Sequence, residues 1–272
     1  MPDMIEYFDL WAPYWSERED TFLAKESVET LSNLLESPVL LVGAGLGMII
    51  ERLQARGLQV DGIELSPQMV KYAKKLRNLE LIQGDAREMP IKDHAYKSSL
   101  IATGVIDVMD DLEEIKKIIE ETKRVTIDKG PIHVAFYQWH PMVTDFVKTF
   151  GYLSSDGRWS FRKSHELWIL KPNEVISILR KQNPDLGFVK VLLTLLKVQF
   201  FLPKKEKQER KDFVTSWKKA CESMEDPHKL IEAGPETVPY RDEKGIRQLF
   251  EKLGIQILKI QTFPSCKVVQ IE

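Results

Sequence analysis

Three glycines at alternate positions, Gly43, Gly45 and Gly47 in "VLLVGAGLGMI", follow an apolar run of the kind that forms a buried strand. Such a chain turns tightly and lets a ligand lie against bare backbone. The turn alone does not choose the ligand, since glycine-rich turns serve several nucleotides and sometimes serve only packing. In a dinucleotide site of G-x-G-x-x-G type the third small residue falls at position 48; Met48 stands there, which argues against a nicotinamide or flavin. Two acids narrow the choice. Glu64 closes the "QVDGIEL" run about twenty residues beyond Gly43, where an acid beside a glycine turn accepts hydrogen bonds from both hydroxyls of a ribose. Asp85, in "LIQGDARE", follows the next strand at the same edge and is placed to accept from an exocyclic amine of adenine. Either acid by itself reads equally well as a loop or turn residue. The order glycine turn, ribose acid, adenine acid is the specific signal.

A second substrate at that edge must be held in line with the reacting atom, and a hydroxyl or protonated amine also benefits from a base. His140 in "AFYQWHP" directly follows a fifth apolar run and stands at the same edge, with Tyr137 just before it. Both are candidates for catalysis or substrate orientation; the alternative for His140 is capping or packing a loop.

The elements that position these residues are legible from about residue 38 to 137. There "VLLVG", "QVDGIEL", "LELIQGD", "SSLIATGV" and "PIHVAFYQW" alternate with helical patterns such as "IIERLQARG", "PQMVKYAKKLRN" and "DDLEEIKKIIEETKRV". That rhythm predicts a parallel sheet with helices on both faces. Ser66-Pro67 supplies an N-cap and a first-turn proline, and Asp110-Asp111 put negative charge at the next helix start. Near the end, "DEKGIRQLFEKLG" reads as a helix closed by Gly254, followed by two strands, "IQILKIQTF" and "CKVVQIE", forming an antiparallel hairpin about Pro264-Ser265. The expected fold class is α/β, a Rossmann-like doubly wound sheet of seven strands, mostly parallel with an antiparallel C-terminal hairpin strand. The expected division is a core of 1–137, a mostly helical insertion of 138–239 over the sheet, and 240–272 completing the core.

With these features in place, the sequence resembles the class I S-adenosylmethionine-dependent methyltransferases, in particular the small-molecule group that includes the ubiquinone and menaquinone biosynthesis type. The resemblance rests on "VLLVGAGLG", "VDGIELSPQMVKYAKK", the segment from "LELIQGDARE" to "GVIDVMDD", the late helix and hairpin, and "YFDLWAPYW" at the amino terminus. It covers about 170 residues and omits the insertion. It implies S-adenosylmethionine as cofactor and S-adenosylhomocysteine as product. It also implies that Gly43, Ala44, Gly45 and Gly47 bring backbone against the methionine portion, that Glu64 holds the ribose, that Leu65 touches the adenine and that Asp85 with Ala86 reads it. Gly104, Val105 and Ile106 would line the floor, while Tyr7, Trp11 and Tyr14 would cover the cofactor or simply pack a helix on the sheet. Two departures from the family pattern are Tyr96-Lys97 before the fourth strand and Ile106-Asp107 after it.

Composition bounds the rest. The 272 residues carry a formal net charge of −2, with 43% hydrophobic and 29% charged residues, which gives no global pull toward nucleic acid or anionic membrane. Only Cys221 and Cys266 are present, so a disulfide framework and a cysteine zinc site are excluded, no metal is expected, and a reducing, cytoplasmic setting is. No apolar run is long enough for a transmembrane segment. The sequence "TGVIDVM" lacks the acid or asparagine with Pro-Pro-aromatic of nucleic-acid amino methylases, and the cysteine count excludes arsenic methylases. The basic stretch from Lys190 to Lys219 fits a solvated helix face or a patch for phosphate backbone or anionic lipid; "FVKVLLTLLKVQFFL" fits a buried cap helix, an acceptor pocket wall, a homo-oligomer interface or an interfacial membrane contact. The expected activity is methyl transfer to a small-molecule acceptor. The alternatives are a cofactor-binding module without turnover and an NAD(P)-dependent oxidoreductase.

Overall fold

The computed structural model describes residues 4–15, 25–109, 111–138, 187–201, 237–263 and 266–272, with short stretches between 144 and 180 and single residues between 204 and 215. Helices α1 (Met4–Trp15) and α2 (Lys25–Ser32) lead into β1 (Val39–Val42), α3 (Met48–Gln54), β2 (Val60–Glu64), α4 (Pro67–Arg77) and β3 (Ile82–Gln83). Then come β4 (Ser98–Ile101), a 3-10 turn (Ile106–Val108), α5 (Leu112–Val125) and β5 (Ile132–Tyr137). Short strands β6 (Tyr152–Leu153) and β7 (Trp159–Arg162), helix α6 (Phe188–Phe201) and β8 (Thr237–Tyr240) precede α7 (Glu243–Leu253), β9 (Ile257–Thr262) and β10 (Cys266–Ile271).

Strands order as β3-β2-β1-β4-β5-β10-β9, with β1 to β5 parallel and β10 antiparallel to both β5 and β9. The β1 residues are all buried because the sheet is covered on both faces, and strand geometry sends neighbours to opposite sides. Leu40 and Val42 join Ile101, Phe136, Ile119, Leu249 and Phe250 on the face of α5 and α7, whereas Val39 and Leu41 join Leu31, Ile50, Leu53 and Ala135 beneath α2 and α3. Phe136 and Phe250 meet edge to face at 6.1 Å, and truncating either buried ring to alanine costs about 3–5 kcal/mol. The topology reverses between β1 and β4, so a crevice opens at their carboxyl ends, the usual ligand position in an open α/β sheet.

Helix ends follow their sequence signals. Ser66 Oγ accepts from Met69 N at 3.0 Å with Pro67 in the first turn, Asp111 accepts from Glu113 N and Glu114 N, and Gly254 ends α7 at φ 67°. Among the described residues, β6, β7 and β8 form a three-stranded antiparallel sheet that the sequence reading did not anticipate, with β8 packed on the 3-10 turn after β4. Helix α6 forms as its periodicity predicts, but Phe188, Val189 and Leu193 lie exposed, so its first turns are not enclosed; Val191 alone of that stretch is fully buried. Among the described residues, no helix is long and apolar enough to cross a membrane.

Candidate functional site

The glycine turn leaves β1 by folding back on β2: Gly43 N and Ala44 N both donate to Ile63 O at 3.0 Å, and Gly47 N donates to Ala44 O at 2.9 Å. All three glycines hold positive φ, of 76°, 56° and 81°, a region side chains disfavour. Their surroundings differ. A Cβ at Gly43 would strike Val105 and one at Gly47 would strike Leu79, while one at Gly45 would meet nothing within 4 Å. Two of the glycines therefore answer to protein packing; the middle one faces open space, as backbone does where a ligand approaches.

Glu64 sits against that middle glycine. Its Oε2 accepts from Gly45 N at 2.7 Å and its Oε1 from Ser66 N at 2.9 Å. Burial pushes its pKa up, opposed by the Ser66 and Gly45 amides. The amides of Gly45, Ser66 and Leu65 take part of the carboxylate's four accepting directions, and what remains can accept from a hydroxyl, the donor a ribose presents. Leu65 beside it is partly exposed, at 37%. The sequence reading missed Asp9, whose Oδ1 accepts from Ser66 Oγ at 2.5 Å and from Gln68 N at 3.2 Å, tying α1 to the start of α4. No local pattern links Asp9 to Ser66; only the packing of α1 on α4 does.

Asp85 and Ala86 lie one strand further out. Both oxygens of Asp85 are engaged by Arg87, through its backbone N (2.8 Å), Nε (2.9 and 3.0 Å) and a terminal guanidinium nitrogen (2.6 Å), and this guanidinium holds the carboxyl below its usual range. Arg87 also reaches Glu114 of α5 at 2.7 Å. A cleft beside this group is lined by Asp85, Arg87, Glu88, Glu114 and Lys117.

After β4, Gly104 takes φ 85°, Val105 is half-buried and the Ile106 side chain turns wholly into the core, so only its backbone remains at the edge. Asp107 is buried there. Its Oδ1 accepts from Gly104 N at 2.7 Å and its Oδ2 accepts from Tyr137 N at 3.4 Å, so one carboxylate ties the loop after β4 to the end of β5. Burial pushes its pKa up to about 6 against those amides and the charge of Arg241. Tyr137 brings its hydroxyl close to Gly104, within 3.2 Å of where a Cβ would stand. His140 lies outside the described residues. His133, in the body of β5, is buried with Nε2 on Leu34 O at 3.1 Å, and burial lowers its pKa.

Helix α1 carries Tyr7 and Trp11 inward, edge to face at 6.3 Å, with Tyr14 half-buried. Ala12 packs with Leu46 of the glycine turn and Met69 of α4. The helix therefore touches the turn itself, and Trp11, with no exposed surface, is committed to packing.

Residues 40–134 match the family model of a methyltransferase domain. The chain is similar to a demethylmenaquinone methyltransferase of Paenarthrobacter aurescens, 31% identical over 43% of this chain and 44% of that protein, so it spans under half the length of that relative in the match. A protein of the same description from Thermotoga maritima is 23% identical over 68% of this chain and 86% of its own length. Among solved structures, the glycopeptide N-methyltransferase MtfA complexed with sinefungin superposes with TM-score 0.51 at 10% identity, covering 91% of each chain. A structure described as a putative zinc-dependent alcohol dehydrogenase from Rhodobacter sphaeroides gives TM-score 0.55 at 11% identity over 97% of each. At such identities the two superpositions speak for the doubly wound fold alone. Residues 40–134, which carry the glycine turn and strands β2 to β4, therefore match a methyltransferase domain within a sheet of the doubly wound order.

Proposed function

We propose that the protein transfers a methyl group from S-adenosylmethionine to a small-molecule acceptor. The observation that carries the reading is the Glu64 carboxylate held on the amide of Gly45, the one glycine of the turn with open space before it. In this reading Gly43 to Gly47 hold the methionine portion with backbone, Glu64 accepts from the ribose hydroxyls, and Asp85 with Ala86 and Leu65 recognises the adenine. Gly104 and Val105 form the floor, and Tyr7, Trp11 and Tyr14 stabilise the helix that closes over the turn. When bound, the cofactor supplies a methyl carbon carried on a sulfonium, open to in-line displacement. The chain's own task is then to hold two reactants in line and keep water out, which is worth about 7–11 kcal/mol of barrier in well-aligned systems. Tyr137 and His140 are the proposed acceptor-side groups. Similarity to two demethylmenaquinone methyltransferases supports a small, flat acceptor.

Titration with S-adenosylhomocysteine and, separately, with nicotinamide cofactors tests the donor. The expected outcome is a rise in thermal midpoint with S-adenosylhomocysteine alone, since only a ligand of the native state stabilises it. A rise with NAD(H) or NADP(H) alone would overturn the reading in favour of an oxidoreductase. Labelled methyl transfer to a panel of phenols, quinols and amines tests turnover, and tight cofactor binding with no transfer to any of them would favour a binding module.

A further inference from the structure

We propose that Arg87 is a positioning residue that fixes the Asp85 carboxylate so that one oxygen stays open to the exocyclic amine of the cofactor's adenine. This rests on the reading of Asp85 as the adenine acid. A carboxylate offers about four accepting directions. Arg87 fills both directions of Oδ1, with its backbone N at 2.8 Å and Nε at 2.9 Å. Its terminal nitrogen takes one direction of Oδ2 at 2.6 Å, while Nε is shared across at 3.0 Å. What remains is the second direction of Oδ2, and the side chain of Asp85 is 35% exposed, so that direction has room for a donor.

The fork of a guanidinium matches a carboxylate in plane and spacing, so the pair is rigid in a way a lysine contact is not. Arg87 is itself held from the other side. Glu114, on the first turn of α5, takes its second terminal nitrogen at 2.7 Å, so the loop after β3 is braced against a helix whose N-cap is Asp111. The group lines the cleft at the outer edge of the sheet, next to Ala86. An acid that must recognise an amine has to be ionised and to present a lone pair in a fixed direction. Arg87 supplies both conditions, without itself offering an acceptor to the amine.

The test compares S-adenosylhomocysteine with S-inosylhomocysteine, in which a carbonyl replaces the amine, by calorimetry on the full chain. Wild type should prefer the adenosyl compound by about tenfold or more, since a site built around a donor leaves its acceptor facing a like group when the donor is absent. Arg87→Met should bring the ratio to within about threefold of unity, and Arg87→Lys should restore part of it, keeping charge without the fork. Glu114→Gln, which loosens only the brace, should lower the ratio by a smaller factor and serves if Arg87→Met fails to fold. Retention of the wild-type ratio in Arg87→Met or, if that variant does not fold, in Glu114→Gln would overturn the proposal, as would equal binding of both compounds by wild type. Failure of wild type to bind S-adenosylhomocysteine at all would instead overturn the methyltransferase reading.

Discussion

Two acids at one sheet edge are held in opposite ways. Glu64 is buried and gripped by backbone amides of Gly45 and Ser66, and burial raises its pKa; Asp85 is half-exposed and gripped by the Arg87 side chain, whose charge lowers its pKa. The difference teaches where each site is vulnerable. A backbone-held acid is fixed by the fold and survives changes to neighbouring side chains. A side-chain-held acid depends on one partner, and a single substitution at Arg87 leaves Asp85 only the Arg87 amide.

Removing the backbone-held acid should have the largest effect. Glu64→Ala leaves the Gly45 and Ser66 amides without their acceptor, at about 1–3 kcal/mol for each buried donor. Chemical denaturation should report a loss of several kcal/mol, and calorimetry a fall in S-adenosylhomocysteine affinity of about a hundredfold. If stability held while affinity fell, the grip on Glu64 would belong to the ligand and not to the fold.

A third acid sharpens the contrast. Asp107 is backbone-held like Glu64, and its pKa of about 6 stands above the 3.8 it takes when unburied. Between those values the native state keeps a proton that the unfolded chain has lost. Native stability from this group is therefore complete below about pH 3.8 and is lost as pH rises through 6, by roughly 3 kcal/mol at 1.36 kcal/mol per unit. Asn at this position does not titrate. The unfolding free energy of wild type minus that of Asp107→Asn should fall by roughly that amount from pH 4 to pH 7, whatever the constant cost of the substitution. A flat difference would place Asp107 with Asp85 rather than with Glu64.

How each acid is held also decides how much of it the sequence discloses. Glu64 depends on a strand end and a glycine turn, both local patterns, and the sheet that positions it follows from the alternation of apolar runs and helices. The engagement of Asp85 depends on the turn that brings Arg87 back two residues later, and on Glu114 across a helix, neither of which is a periodicity. Asp107 was visible as a departure from the family pattern, but its tie to Tyr137 and its proximity to Arg241 come from three separate segments meeting, the loop after β4, the end of β5 and the residue after β8. The small sheet of β6, β7 and β8 escaped for a related reason. Its strands have two to four residues, β8 contains Pro239, and pairing across distant segments, not local propensity, makes them strands.

A smaller effect is expected at the side-chain-held acid itself. Asp85→Ala removes a partly exposed carboxylate whose partner Arg87 retains Glu114 and water, so stability should change by less than about 1 kcal/mol. S-adenosylhomocysteine affinity should nevertheless fall about tenfold, or about 1.4 kcal/mol. The separation between these two readouts distinguishes Asp85 from Glu64, where both fall together. A stability loss comparable with that of Glu64→Ala would erase the distinction.

The smallest effect falls beside Glu64, at Ser66. Its hydroxyl caps α4 through Met69 N and donates to Asp9, while its backbone N–H serves Glu64. Ser66→Ala removes the cap and the hydroxyl's bond to Asp9, but leaves the Gln68 N–Asp9 bond and the Ser66 amide in place. The cost should be about 1 kcal/mol of stability, as for other N-cap serines. Cofactor affinity should change by less than about threefold, because the hydrogen bonds on Glu64 come from main chain that the substitution does not touch. A tenfold loss of S-adenosylhomocysteine binding in Ser66→Ala would mean that the hydroxyl, through Asp9 and α1, takes part in holding Glu64. The backbone-held acid would then depend on a side chain after all.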